Sequence, residues 1–194
     1  MTRPADPRAN YIAIATAKFA ADGFHGASLA ALAREAGVTK QALLHFFGTK
    51  ERLYAEVLTD LATRLLSEID ARADPDPSAH LLAYFQHFHA ATTNRPNDIR
   101  LVTRALLDSD ENARTWPMKP YLQRLASIAS ATPGGQRRSL VEVMAWLSQM
   151  IGRIEYLAIS APAMSGMFGA ETARQIARQS ETMVTAEVRR FCAA

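Results

Sequence analysis

The sequence predicts an all-α protein, with three short helices over residues 1–52 and a larger helical part over residues 53–194. Three observations support this. Apolar residues return at three- and four-residue intervals, the stripe of helices that bury one face. Ala, Leu, Arg and Glu abound, and β-branched residues do not cluster at strand spacing. Gly- and Pro-containing stretches such as ADPDPS, NRPND, TWPMKP and ATPGGQ punctuate the periodic segments.

The composition bounds the class. At 194 residues, 48% hydrophobic and 21% charged, the chain is long enough to bury a sizeable core and reads as a soluble folded protein. No apolar run approaches the length needed to cross a bilayer, so no membrane partner is expected. The opening MTRPADPRANY lacks the apolar core of a secretory signal. The single cysteine, Cys192, excludes a disulfide framework and points to a cytoplasmic location. The charge is unevenly placed. Residues 1–52 hold seven Lys or Arg against four Asp or Glu, so the net charge of +3 lies entirely there. A polyanion is the partner such an excess suits.

The first helix is expected from about Asp6 to Asp22, with Ile12, Ala15 and Phe19 on its inner face and Gly23 as a left-handed cap. Ser28 is expected to cap a second helix, in which Leu29, Leu32, Ala33 and Ala36 point inward. Gly37 then makes a tight turn, Val38 fills the space beneath it, and Thr39 caps a third helix with Leu43 and Phe47 inside. Two helices joined by a short Gly-containing turn are a helix-turn-helix. Lys40, Gln41, Leu44 and His45 share the outer face of the third helix. Donors, an amide and an apolar group on a protruding helix are what a major groove receives. Thr49 then caps a fourth helix whose first residue, Lys50, stands beside free amides, an arrangement suited to phosphate. A plain helical hairpin would also accommodate this pattern.

The blocks FHGASL (24–29), AREAGVT (33–39) and LLHFFGTKERL (43–53) resemble the DNA-binding domain of the tetracycline-repressor (TetR) family, over about the first 58 residues. The resemblance implies that the third helix enters the major groove and that the C-terminal part binds an inducer and dimerises. It places Lys40 and Gln41 at base edges and Ser28, Thr39 and Lys50 at phosphates. Leu44 stands where the family usually has Tyr; it cannot donate to a phosphate but can meet a thymine methyl. His45 is placed to touch DNA, and Phe46 is expected to turn partly into the core with Phe47.

Further helices are expected at Lys50–Arg72, His80–Thr93, Asp98–Asp108, Tyr121–Ser130, Arg137–Ser160 (stopped by Pro162) and Ala170–Phe191. The last two carry wide apolar stripes, which suit either a domain interior or an interface. The resemblance favours a homodimer interface, with Leu147, Ile151, Ile154, Met183, Val184 and Val188 as its residues. Tyr84, Phe88, Trp116, Met118, Trp146 and Met150 suit the lining of an apolar ligand pocket or an ordinary core. His80, Tyr84 and His87 share a helix face, but no cysteine or nearby carboxylate completes a metal site, and no metal or other cofactor is expected. No nucleophile has a recognisable paired base, which argues against an enzyme. The expectation is a homodimeric transcriptional repressor that binds a palindromic double-stranded DNA operator and is released by a small apolar inducer. A helical ligand-binding or scaffold protein, or an unrecognised helical enzyme, with weakened DNA contact is the alternative.

Overall fold

Leu, Ala and long polar residues at helical spacing fold as the pattern requires. The computed structural model describes residues 7–107 and 116–193, and helices dominate with no strand among those residues. In chain order they are α1 (Pro7–Gly26), α2 (Leu29–Glu35), α3 (Lys40–Phe47), α4 (Lys50–Asp70), α5 (Pro77–Asn94), α6 (Pro96–Leu107), α7 (Lys119–Ala131), a short 3-10 turn (Gly135–Arg137), α8 (Leu140–Phe168) and α9 (Ala170–Cys192). The chain gathers into two compact units. The first takes in residues through Arg64 with the stretch Asn97–Met118; the second takes in Leu65–Pro96 and Lys119–Ala194, each over its described residues. The first unit thus holds most of α4 and all of α6 besides the three short helices.

In the first unit, Phe19 is fully buried and meets Tyr54 edge-on at 4.9 Å, while Phe24 packs on Tyr54 at 5.2 Å. These rings join α1 to α4. Gly23 interrupts α1 at φ 73 and ψ 178, so the helix proper ends where the sequence places its end and a last turn follows. Arg104 on α6 donates to the carbonyls of Ala20 (2.9 Å) and Ala21 (2.5 Å), which satisfies acceptors that the end of α1 leaves open. Arg64 on α4 forms a two-pronged pair with Asp98 on α6, at 2.9 and 3.0 Å.

In the second unit, α5 packs against α7, α8 and α9, and α8 against α9. Asp76 caps α5 by accepting from the amides of Ser78 and Ala79. Its first helical residue is Pro77, earlier than the expected start at His80. α8 begins at Leu140 rather than Arg137, because Ser139 and Glu142 form a reciprocal capping box. It also runs on through Pro162 to Phe168. Proline lacks the amide a helix interior needs and favours a kink there. Pro162 lies in the exposed stretch of α8, where water can satisfy the carbonyl it leaves open. The ATPGGQ break ties down the chain end. Gly134 donates to the Cys192 carbonyl at 3.0 Å, and a Cβ on Gly135 would stand 1.9 Å from the Ala129 carbonyl oxygen, so no larger residue fits there. The expected helix end at Asp108 lies outside the described residues.

Candidate functional site

The turn between α2 and α3 is built from its sequence. Gly37 takes φ 69, a conformation open to glycine, and the Val38 amide closes the turn on the Ala33 carbonyl at 2.9 Å. Ala33 is buried there, small enough for close packing. The Thr39 hydroxyl accepts from the Ala42 amide at 3.1 Å and starts α3. Leu43 and Phe47 are buried and hold α3 from beneath. The opposite face stays outward: Lys40, Gln41 and His45 are exposed and Leu44 is half-buried. Ser28 and Thr39 are exposed as well.

Three placements differ from the sequence reading. Ser28 adopts extended backbone and its carbonyl accepts the Leu32 amide, but its hydroxyl makes no cap bond. That hydroxyl remains exposed. Phe46 is not turned into the core: it is 47% exposed, with its ring edge-on to Tyr11 at 5.2 Å. Lys50 is half-buried, its Nζ donating to the His25 carbonyl at 3.4 Å and lying 4.8 Å from the centre of the Phe24 ring. It ties the last turn of α1 to the start of α4. Two arginines went unremarked. Arg34 at the end of α2 and Arg52 in the first turn of α4 are exposed, and neither has an ion-pair partner among the described residues. Lys18, by contrast, is neutralised by Asp22 at 2.7 Å. Basic residues flanking α3 on both sides in the sequence were the signal available.

The expected ligand-lining residues fall in both units. Trp116 and Met118 belong to the first; Trp116 is partly exposed and Met118 is buried. Tyr84, Phe88, Trp146 and Met150 belong to the second. There Tyr84 stacks on Phe88 at 5.9 Å, and Met150 is buried. Trp146 lies flat on Phe191 at 3.8 Å and donates to Glu187 at 3.3 Å.

This interior is also more polar than the sequence reading allowed. The Tyr84 and Tyr121 hydroxyls share a 2.6 Å hydrogen bond, and both are pushed up, first by burial. Burial alone would raise the Glu68 carboxyl, but hydrogen bonds from Arg95 (2.5 Å) and His87 (3.1 Å) outweigh it and hold it below its ordinary value. Arg72 donates to His87 Nδ1 at 2.5 Å, so Nε2 carries the proton given to Glu68. His80 Nε2 donates to the Ile69 carbonyl at 2.9 Å. Both histidines of the expected helix-face set are thus engaged in protein hydrogen bonds.

Glu155 on α8 differs from Glu68. It has no hydrogen-bond or ion-pair partner among the described residues, and burial pushes its carboxyl up to about 7. The unfolded chain releases that proton near its ordinary value of 4.5. The folded chain therefore bears no cost from Glu155 below that pH and the full cost, about 2–3 kcal/mol, above about pH 7. Glu155→Gln is expected to leave stability unchanged at pH 4 and to raise it by about that amount at pH 8, read as urea midpoints at both values. Equal gains at both pH values would show that packing, not charge, explains the change.

The expected interface residues differ in their burial. Leu147, Ile154, Val184 and Val188 have almost no exposed surface within the single chain, because α8 and α9 turn them onto each other and onto α5. Side chains already covered have nothing to give a partner. Ile151 is half-buried and Met183 is 51% exposed. The other side of α8 is open: Val141, Ala145, Ser148, Gly152, Tyr156 and Ile159 recur at helical spacing and are all exposed.

A buried helical scaffold that presents one face of the second helix of a helix-turn-helix defines a regulator-type DNA-binding domain. Residues 12–57 match the family described as bacterial regulatory proteins, tetR family. Over 90 residues the chain is 34% identical to the HTH-type transcriptional regulator RutR of Escherichia coli K12, covering 46% of this chain and 42% of that protein. The chain thus aligns with less than half the length of that curated relative. A putative tetR family transcription regulator from Shewanella sp. PV-4 matches with a TM-score of 0.68 at 18% identity, over 94% of this chain and 96% of that one. FadR from Bacillus subtilis, solved in complex with stearoyl-CoA, matches with a TM-score of 0.70 at 15% identity, over 92% and 98% of the two chains. At these identities the structures establish the fold. The match of residues 12–57 thus places the N-terminal segment with the tetR family of bacterial regulatory proteins.

Proposed function

We propose that the protein is a ligand-responsive transcriptional regulator, a repressor that binds a palindromic operator as a homodimer. The observation that carries this reading is the exposed face of α3, with Lys40, Gln41, Leu44 and His45 outward and Leu43 and Phe47 buried. Lys40 and Gln41 read base edges, and Leu44 meets a thymine methyl. Ser28, Thr39 and Lys50, joined by Arg34 and Arg52, hold phosphates. The open face of α8 supports the homodimer, since a row of small and apolar residues at helical spacing suits a second copy of itself.

The second unit holds a small, largely apolar effector beside Tyr84, Phe88 and Met150. A structure of the same fold, FadR of Bacillus subtilis, was solved with stearoyl-CoA, which supports an acyl body. The effector binds the DNA-free arrangement better than the DNA-bound one. By linkage, operator and effector then weaken each other by the same factor.

The division of roles is testable by titrating labelled duplexes. Lys40→Ala is expected to weaken specific binding by about 1–3 kcal/mol and to relax preference at one base. Arg34→Ala is expected to weaken binding to specific and random duplexes alike and to flatten the salt dependence. Equal losses from both variants on both kinds of duplex would contradict the assignment.

A further inference from the structure

Tyr11 on α1 sets its ring edge-on to two rings of α3, Phe46 at 5.2 Å and Phe47 at 6.3 Å. All three belong to the first unit. Phe47 is buried and Phe46 is exposed, so the tyrosine stands where the seam between α1 and α3 reaches the surface. Tyr11 itself is only 9% exposed. Its hydroxyl has no hydrogen-bond partner among the described residues and is not an enclosed polar atom, so the exposed part includes the hydroxyl.

Successive residues of a helix are turned by about 100°. Gln41 and His45 stand opposite the buried pair Leu43 and Phe47; from His45, Phe46 is turned one such step toward α1 and Leu44 one step away from it. A helix with its side chains is about 10–12 Å across, and the major groove is about 12 Å wide. With Gln41 and His45 toward the groove floor, the flanks of α3 meet the walls, which are sugar–phosphate strands. The wall on the α1 side meets the Phe46 ring and the Tyr11 hydroxyl together. These supply an apolar surface for a deoxyribose and a donor for a phosphate oxygen. Arg8, one turn earlier on α1, lies 5.5 Å from the centre of the Phe47 ring and is held by Glu56 at 2.5 Å, so its charge is already matched. Solvent serves the phenol in the free chain. A strand seated on Phe46 displaces that solvent and brings a phosphate oxygen in its place.

We propose that Tyr11 is a DNA-backbone contact: its hydroxyl donates to a phosphate on the groove wall beside Phe46, so that α1 and α3 hold the duplex together. This rests on the reading of α3 as the groove-entering helix and adds a residue that fixes how α3 is seated.

The probes are a duplex selected by the wild-type chain from a random-sequence pool and a random-sequence duplex of equal length. Both are titrated by fluorescence anisotropy over a range of salt concentrations. Tyr11→Phe keeps the ring and its packing and deletes only the hydroxyl. It is expected to weaken binding to both duplexes by about three- to tenfold, with the melting temperature unchanged. The salt slope is expected to stay as in the wild type, because a neutral donor releases no counterion; this separates Tyr11 from Arg34. Phosphates of the selected duplex are then replaced one at a time by uncharged methylphosphonates. At one position in each half-site the replacement is expected to weaken the wild type more than Tyr11→Phe by the same about three- to tenfold, the non-additivity of a direct contact. The proposal is overturned if Tyr11→Phe binds both duplexes as the wild type does, if its loss is confined to the selected duplex, or if no methylphosphonate separates the two proteins. A wild type that binds DNA while Tyr11→Phe binds equally well removes this proposal alone. A wild type that binds neither duplex removes the regulator reading, and this proposal with it.

Discussion

Gly152→Arg is expected to convert the protein from dimer to monomer and to lower affinity for a two-half-site operator by about a hundredfold or more, with the fold intact. Gly152 lies mid-stripe on the open face of α8, between Ser148 and Tyr156. A Cβ built there meets nothing within 4 Å in the single chain, so an arginine fits the monomer without strain. It also improves helix propensity, since glycine is the poorer helix former. In a face-to-face dimer the same side chain drives a charge into an apolar seam that would otherwise be close-packed. One helix-turn-helix then reads too few bases to hold the operator. Light scattering gives the mass, and fluorescence anisotropy gives the affinity. A variant that stays dimeric, or a monomer that keeps full operator affinity, would contradict the account. Ile154→Lys would not make this test, because Ile154 is 1% exposed and a lysine there unfolds the second unit.

Arg64→Ala is expected to lower stability by roughly 3 kcal/mol. Within the first unit Arg64 joins α4 to α6 through both oxygens of Asp98, and its Nε also reaches Asp60 at 3.2 Å. The Asp98 side chain is only 12% exposed, whereas that of Arg64 is 34% exposed. The hydrogen bonds it donates to Asp98 keep the guanidinium firmly protonated; burial counts against this, and the charge of Asp98 adds to it. Removing it costs the hydrogen bonds and leaves the carboxylate without its two-pronged partner. The exposed pair of Arg174 with Glu171 is the control, and Arg174→Ala is expected to make no measurable change. Urea denaturation checks both. Equal midpoints for the two variants would show that the α4–α6 pair contributes no more than a surface contact.

The helices of the first unit were legible because local signals coincide there. Gly23, Gly37, Thr39 and Thr49 each stand at a cap or turn, and apolar residues behind them repeat on one face. The outward direction of Lys40, Gln41 and His45 follows once Leu43 and Phe47 are placed inside. Partnering was not legible. The commitment of Lys50 to the His25 carbonyl depends on where the end of α1 lies in space. The Ser139–Glu142 capping box was available at its usual spacing, and the Pro162 stop was preferred to a helix that runs past it. α8 misled most. It is apolar on two opposite sides, so periodicity shows a wide stripe and not which side faces inward. Leu147 and Ile154 pack within the chain, while Val141, Tyr156 and Ile159 remain outside. Tyr84 and Tyr121 stand far apart in sequence, and only the packing of α5 on α7 brings their hydroxyls together.

The central claim is that the chain reads DNA as a symmetric dimer through α3. Selection of bound duplexes from a random-sequence pool, followed by sequencing, tests it most directly. The account predicts enrichment of an inverted repeat whose half-sites are centred about one helical turn apart, or a multiple of it. It also predicts that Lys40→Ala relaxes one position in each half-site and leaves the spacing unchanged. A pool that shows no enrichment over the input, or a single unpaired half-site bound by a monomer, would contradict it.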